Sequence, residues 1–390
     1  MSRAHQHATA ADSIFDGSVV HRHSAILIEG ERIAWIGPRQ ELPPDIYLHE
    51  LPKGCWLAPG FIDVQVNGGG DVLFNDAPNP AGIARIVAAH RRYGTTGLLP
   101  TLISDTPGKM HAALDAVQNF GSGAGVLGIH FEGPFLSPGK PGIHNPAMLR
   151  PPAADDLALL ISAPSILKLV TLAPEEVPKG FIADLAKAGV RVALGHSMAT
   201  YAQTTAALAE GLSGFTHLFN AMRPLAAREP GPAAAALECS RAWFGMIVDG
   251  VHVDPVMLRL ALRGSAHAML VSDAMPPAGG SRPAFLLHGR NMVARGEACV
   301  DETGTLAGTA LTMAGAINNC VRLLGMPLTS ALRYASFESA AFLGLANRLG
   351  RLAPGYQADM VAFEPGRIRI VGTWLAGTWQ GSLESTTISS

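Results

Sequence analysis

The chain has 390 residues, of which 48% are apolar and only 15% charged, and its formal net charge is −2. That length allows one large α/β domain or two ordinary ones, and the near-neutral balance argues against the basic surface of a nucleic-acid binder. No uninterrupted apolar run is long enough to span a bilayer.

The opening stretch, MSRAHQHATAADS, is polar and lacks the apolar segment of a secretory signal. It is expected to lack regular structure. Residues 14–56 contain SVVHRHSAILIEGERIAWIG, short alternating runs with turn signals, as expected of small antiparallel strands.

From Phe61 to Asp273 a different pattern repeats: a short apolar run, a polar or glycine-rich turn, then a longer amphipathic segment. The strand candidates are FIDVQVN, GLLPTLIS, GVLGIHFE, LKLVTLAP, VRVALGH, GFTHL, WFGMIVD and AHAMLVSD. Helical segments such as PAGIARIVAAHRRYG, FIADLAKAG and DPVMLRLALRG lie between many of them. Continuous apolar strands suit a parallel sheet covered on both faces. Eight of them alternating with helices predict a TIM-like (β/α)8 barrel, with a doubly wound open sheet as the alternative.

Segments 311–325 and 328–347 read as helices closing the barrel side, with GTLAG as the turn leading in. The tail, QADMVAFEPGRIRIVGTWLAGTWQG, returns to short alternating runs. Residues 1–56 and 351–390 are therefore expected to pair as one small β-sandwich domain, with the barrel at 57–350 between them. Cys55, Cys239, Cys299 and Cys320 stand far apart with no CxxC pair, which fits a reducing compartment and a cytoplasmic protein.

Nearly every predicted strand is polar only at its C-terminal end: Gln65 and Asn67, Glu132, His196, His217, Asp249 and Asp273. A closed barrel brings those ends to one mouth, where barrel enzymes place their chemistry. Glu132, His196 and His217 form a carboxylate and two imidazoles, a donor set for one divalent metal with positions left for water and substrate. Asp273 ends the last strand and would face that site as a general acid/base. Arg228 of REPG and His252 of DGVH are suited to an anion, although an arginine in a proline-flanked loop is more often simply solvated. His144 of GIHNP is open between a solvated loop residue and one that reaches over the mouth.

Taken together, PGFIDVQVNGGG, HFEGPF, GIHNP, LGHS, THLFNAM, REPG, DGVH, VSDA and GTLAG occur in an order and spacing that resemble the N-acetylglucosamine-6-phosphate deacetylase family of the amidohydrolase superfamily. The resemblance covers about residues 57 to 350. It implies that Glu132, His196 and His217 are metal ligands, that Asp273 is the catalytic acid/base, and that His144 contacts the substrate acetamide. Ile143, Asn220, Ala221, Arg228, the stretch Asp249, Gly250, Val251 and His252, and the stretch Leu306, Ala307 and Gly308 are implied as substrate or phosphate contacts. Most of the superfamily ends its first strand in His-x-His, which holds a second metal. Here those positions are Gln65 and Asn67, and a neutral amide oxygen is a poorer ligand for zinc-like ions.

The resemblance thus implies a branch with one divalent metal per subunit, zinc first and iron, manganese or cobalt otherwise. It implies a homodimer whose phosphate pocket is completed across the interface. The expected reaction releases acetate from N-acetylglucosamine 6-phosphate. The alternatives are an epimer such as N-acetylgalactosamine 6-phosphate, or a catalytically silent sensor of amino-sugar phosphates.

Overall fold

A computed structural model describes residues 6–121 and 123–381. Eight parallel strands form its central sheet: β1 (Phe61–Val66), β2 (Thr95–Ile103), β3 (Ile129–Glu132), β4 (Lys168–Leu172), β5 (Arg191–Leu194), β6 (Gly214–Phe215), β7 (Trp243–Met246) and β8 (His267–Leu270). Each pairs with the next in chain order. The strands are buried almost throughout, because helices cover their outer face while their own side chains fill the interior. The connecting helices start where the sequence offers a cap. Asn79 accepts from Gly82 N–H ahead of Pro80–Arg91, and Thr200 and Gln203 form a reciprocal capping box at Tyr201–Glu210.

The barrel closes through single contacts and not through a full ladder. Gly68 N–H donates to Ala274 O at 2.8 Å, and Ser272 Oγ donates to Gln65 O at 3.4 Å. Between them lies Asp63, fully buried, whose Oδ1 accepts from Gln65 N–H (3.2 Å) and Ser272 N–H (3.3 Å). A side chain of β1 thus supplies the acceptor that a neighbouring strand would have supplied.

Both chain ends contribute to a second, eight-stranded sheet. Its order runs from Thr378–Trp379 through Arg369–Leu375, Met360–Glu364, Trp56–Pro59, Gln6–Phe15 and Val20–Glu29 to Arg32–Pro38, with Tyr47–Glu50 also pairing with Gln6–Phe15. It has its own core, including Ile14, Ile26, Leu57, Met360 and Trp374. The expectation that the polar N-terminus lacks structure is corrected from Gln6 onward. That segment is paired on both sides, and its buried residues up to Ser13 are small ones, Ala8, Thr9, Ala10, Ala11 and Ser13. Residues 1–5 lie outside the described part.

The helices expected in 311–325 and 328–347 are Met313–Leu324, Leu328–Tyr334 and Phe337–Phe342. Ahead of them stands a four-stranded antiparallel sheet that the sequence reading did not foresee: Ala284–Leu287, Arg290–Arg295, Ala298–Asp301 and Leu306–Thr309. GTLAG is therefore not only a turn, since Leu306–Thr309 is the strand that runs beside the barrel mouth.

Asp63 gives the closure a pH signature. Burial pushes its carboxyl up to about 7 from 3.8, and Oδ2 has no partner among the described residues. The folded state therefore holds the proton more tightly than the unfolded chain, and stability falls as pH rises from about 4 to about 7, by an amount on the order of a few kcal/mol. Asp63→Asn keeps the Oδ1 acceptor and removes the charge. Calorimetry across that window is expected to show a flatter melting-temperature profile for the variant, and a melting temperature at or above the parent's at pH 8. A variant that melts well below the parent at pH 8 would show that the charge itself is needed.

Candidate active site

Glu132 is the last residue of β3, while His196, His217 and Asp273 follow the ends of β5, β6 and β8 by two or three residues. All four are buried. The backbone turns sharply at each of the last three, with φ of 49° at His196, 31° at His217 and 52° at Asp273. A left-handed conformation costs an L-residue about 1–3 kcal/mol, and such strain gathers where function requires one direction of a side chain. Here it directs three side chains inward at one mouth. Gly142 and Gly308, with φ of 55° and 68°, allow close approach beside them. A Cβ on Gly142 would stand 3.0 Å from His196 Cε1, and one on Gly308 would stand 2.7 Å from Asp273 O.

Three donor atoms meet at the centre. His196 Nε2 lies 3.1 Å from His217 Nε2 and 3.3 Å from Glu132 Oε1, and His217 Nε2 lies 3.1 Å from the same oxygen. Donors bound to one ion at about 2.0–2.2 Å in tetrahedral geometry stand about 3.3–3.5 Å apart. The triangle fits a single divalent ion to within a few tenths of an ångström, and among the described residues it is the one such cluster. His196 Nδ1–H donates to Lys140 O at 3.0 Å, which leaves Nε2 with its lone pair facing the triangle. Burial opposes ionisation of Glu132, but the bonds and charges of His196 and His217 hold its carboxyl well below the ordinary range. Burial opposes protonation of His217 too, and Glu132 overcomes it and raises the imidazole. Glu132 thus favours positive charge at the centre of the triangle.

Gln65 and Asn67 present their N–H groups to the site. Gln65 Nε2 donates to Glu132 Oε1 (3.2 Å) and Asp273 Oδ1 (3.1 Å), and Asn67 Nδ2 donates to Asp273 Oδ1 at 2.7 Å. Amide oxygens so close to carboxylate oxygens would be repelled. Asp273 is thereby held by Oδ1, leaving Oδ2 to carry a proton. Burial, then the charge of Glu132, pushes its carboxyl up to about 6, the range of a general acid/base working near neutrality.

The tautomer of His144 follows from one backbone group. Ser104 N–H donates to His144 Nδ1 at 3.2 Å, with Ser104 Oγ 2.8 Å from the same nitrogen. Nδ1 is therefore an acceptor and the ring proton sits on Nε2. Burial, joined by the charge of His196, holds the imidazole neutral by lowering its pKa well below the usual value. His144 is thus a neutral hydrogen-bond donor.

These groups line a cavity of about 320 Å³. Of the residues expected from sequence, Asn67, Glu132, Ile143, His144, His196, His217, Asn220, Ala221, His252, Asp273, Leu306 and Gly308 border it. Asp249, Gly250, Val251, Ala307 and Arg228 do not. Asp249 lies behind His252: Oδ2 accepts from His252 Nδ1–H at 2.6 Å, and Oδ1 accepts the backbone N–H groups of Val251 and His252 at 2.9 Å each. Arg228 is exposed in the loop after His217. Sequence reasoning missed Ser104, Lys140 and Met275. Ser104 had a signal, being the polar end of LLPTLIS, whereas Lys140 acts on His196 through its carbonyl, which no sequence pattern records.

The N-acetylgalactosamine-6-phosphate deacetylase of Shewanella sp. (strain ANA-3) is 40% identical over 333 residues, 84% of each chain. The N-acetylglucosamine-6-phosphate deacetylase of Haemophilus influenzae is 32% identical over 367 residues, 93% of this chain and 96% of the other. Among solved structures, the N-acetylglucosamine-6-phosphate deacetylase of Pasteurella multocida superposes with a TM-score of 0.93 at 32% identity, covering 96% of this chain and 100% of that one. The model of the amidohydrolase family matches residues 56–389, and the chain belongs to that family.

Proposed function

We propose that the chain is a metal-dependent hydrolase that converts N-acetylglucosamine 6-phosphate to glucosamine 6-phosphate and acetate. The observation that carries this reading is the Glu132–His196–His217 triangle with Asp273 and His144 on the same cavity. When bound there, one divalent ion, zinc in this reading, supplies a Lewis acid and makes water a stronger nucleophile near neutral pH. Asp273, ionised above about pH 6, takes the proton of the attacking water at Oδ2. His144 Nε2–H donates to the acetamide oxygen as negative charge develops there. Asp273 then hands its proton to the amide nitrogen, the C–N bond breaks, and the sugar leaves as an amine that would otherwise be a poor leaving group.

His252, oriented by Asp249, is assigned to the phosphate, and Ile143, Asn220, Ala221, Leu306 and Gly308 to the sugar. Gly250, Val251 and Ala307 are assigned to the supporting backbone of those two stretches. Arg228 is assigned to the phosphate pocket of the second subunit of a homodimer, which accounts for its exposed position outside its own cavity. The reading divides the chain into a barrel at 57–350 and a β domain from 1–56 and 351–390, supported by a cluster that the chain-end sheet packs by itself, while Phe15, Val361 and Phe363 join it to the barrel core. It places the protein in the cytoplasm, supported by four unbonded cysteines.

The galactosamine epimer is the second substrate reading, because a relative at 40% identity carries that name. Acetate release by the metal-loaded protein from the two 6-phosphates and from unphosphorylated N-acetylglucosamine tests both readings. A preference for the phosphorylated glucosamine compound is expected. Preference for the galacto epimer would exchange the readings, and equal activity on the unphosphorylated sugar would remove the phosphate pocket.

Asp273→Asn keeps an acceptor for Asn67 but cannot shuttle a proton. It is expected to lower kcat by about 10²–10⁴-fold with KM little changed, and near-normal turnover would take Asp273 out of the mechanism. Elemental analysis separates ligands from donors: Glu132→Gln is expected to lose most of its bound metal, while Gln65→Ala retains it. Equal loss in both would make Gln65 a ligand.

A further inference from the structure

A second cavity lies at the other end of the barrel. About 590 Å³ opens between the N-terminal ends of β2 to β5 and the sheet built from the chain ends, which contributes Gln357, Asp359 and Ala376. Three cations border it: Lys168, the first residue of β4, Arg191, the first residue of β5, and Arg348. Leu169 is the ladder partner of Arg191, so Lys168 and Arg191 start neighbouring strands one register step apart.

Leu169 and Arg191 share a face of the sheet, so the Lys168 and Arg191 side chains leave opposite faces, and both border the cavity from the strand starts. Lys168 is 3% exposed and Arg191 is half-buried, and burial lowers the pKa of both. Among the described residues, neither has a carboxylate partner. Lys168 Nζ donates to Ala163 O at 3.0 Å and Ile166 O at 3.3 Å. That accounts for two of its three N–H groups as a support for the end of helix Ala154–Ile161, and leaves the third free. Arg191 has no such explanation: its Nη2 lies 2.5 Å from where a Cβ on Gly344 would stand, so the glycine admits a guanidinium that pairs with nothing.

The charge of Asp359 acts on Arg91 and Arg348, and neither acid on the wall pairs with Lys168 or Arg191. Asp359 is engaged by Gln357 Nε2 at 3.1 Å to each oxygen and by Ala376 N–H at 2.7 Å, and Glu31 is exposed. A buried cation without a counter-ion is expensive, and guanidinium and ammonium groups that border one cavity are donors suited to phosphate. The volume lies in the range of small-molecule sites and is larger than a bare ion requires.

We infer that the barrel floor is a second binding site, for the phosphate group of a small phosphorylated molecule, with Arg191 and Lys168 as its principal contacts and Arg348 at its edge. The site stands apart from the metal triangle, at the opposite ends of the strands.

The test is calorimetric titration of the metal-loaded chain carrying His252→Ala and Arg228→Ala, which weakens phosphate binding at the active site. The probes are inorganic phosphate and glucose 6-phosphate, at matched ionic strength. Saturable binding is expected, and adding Arg191→Gln is expected to weaken it by about 10-fold or more, as for loss of a hydrogen bond to a charged group. Tighter binding of glucose 6-phosphate than of inorganic phosphate assigns the site to sugar phosphates, and equal binding assigns it to the free ion. Absence of binding at millimolar probe, or undiminished binding with Arg191→Gln, overturns the inference. Should Arg191→Gln fail to fold, Arg348→Gln at the exposed edge takes its place. It is expected to weaken binding several-fold, and unchanged affinity overturns the inference equally.

Discussion

Two imidazole nitrogens and a carboxylate oxygen lie within 3.3 Å of one another in a buried site, and the rest of the active site is arranged around that crowding. Lone pairs at such separations repel unless a cation or a proton stands between them. The fold holds them there by accepting left-handed backbone at His196 and His217, by fixing the ring of His196 on the Lys140 carbonyl, and by burying all three. Each of those features is unfavourable or neutral by itself. They form a consistent design only around a positive charge at the centre.

The same logic explains the two amides on β1. An imidazole at position 65 or 67 would direct a lone pair into the site and invite a second ion. Gln65 and Asn67 direct N–H groups there instead and turn the space into a cradle for Asp273. The first strand thus holds the Asp273 carboxylate by one oxygen, which in the proposed mechanism frees the other for the proton. Ser104 acts in a similar way on His144, since a backbone N–H settles which ring nitrogen carries the proton. In both places a neutral group decides what a titratable one can do.

The barrel and the donor set were readable from the sequence because both follow from burial. Strands covered on two faces must be apolar throughout, so Glu132, His196, His217 and Asp273 stood out as polar exceptions at strand ends. The start of the N-terminal strand escaped because the buried positions of its polar stretch are alanine, threonine and serine, small residues with little hydropathy contrast. The sheet at 284–309 escaped for a related reason: in Ala284–Leu287 only Leu287 is buried, so its alternation is faint and its turns dominate. Spacing groups Asp249 with His252 as one pocket-lining stretch, but its carboxylate stands behind the imidazole, through a tight turn that spacing does not reveal. Contacts made by carbonyls, such as that of Lys140, have no residue type to betray them.

The sheet built from both chain ends has a consequence for how the molecule is made. Trp56–Pro59 pairs on one side with Gln6–Phe15 and on the other with Met360–Glu364, strands about three hundred positions apart. Pairing at such separation closes the longest loops in the chain and is intrinsically slow. During synthesis the early strands leave the ribosome with one edge open, and the partner for that edge is among the last segments to follow. An open edge is a template for intermolecular pairing, so the interval before the final strands arrive is the time when newly made chains are most exposed to aggregation.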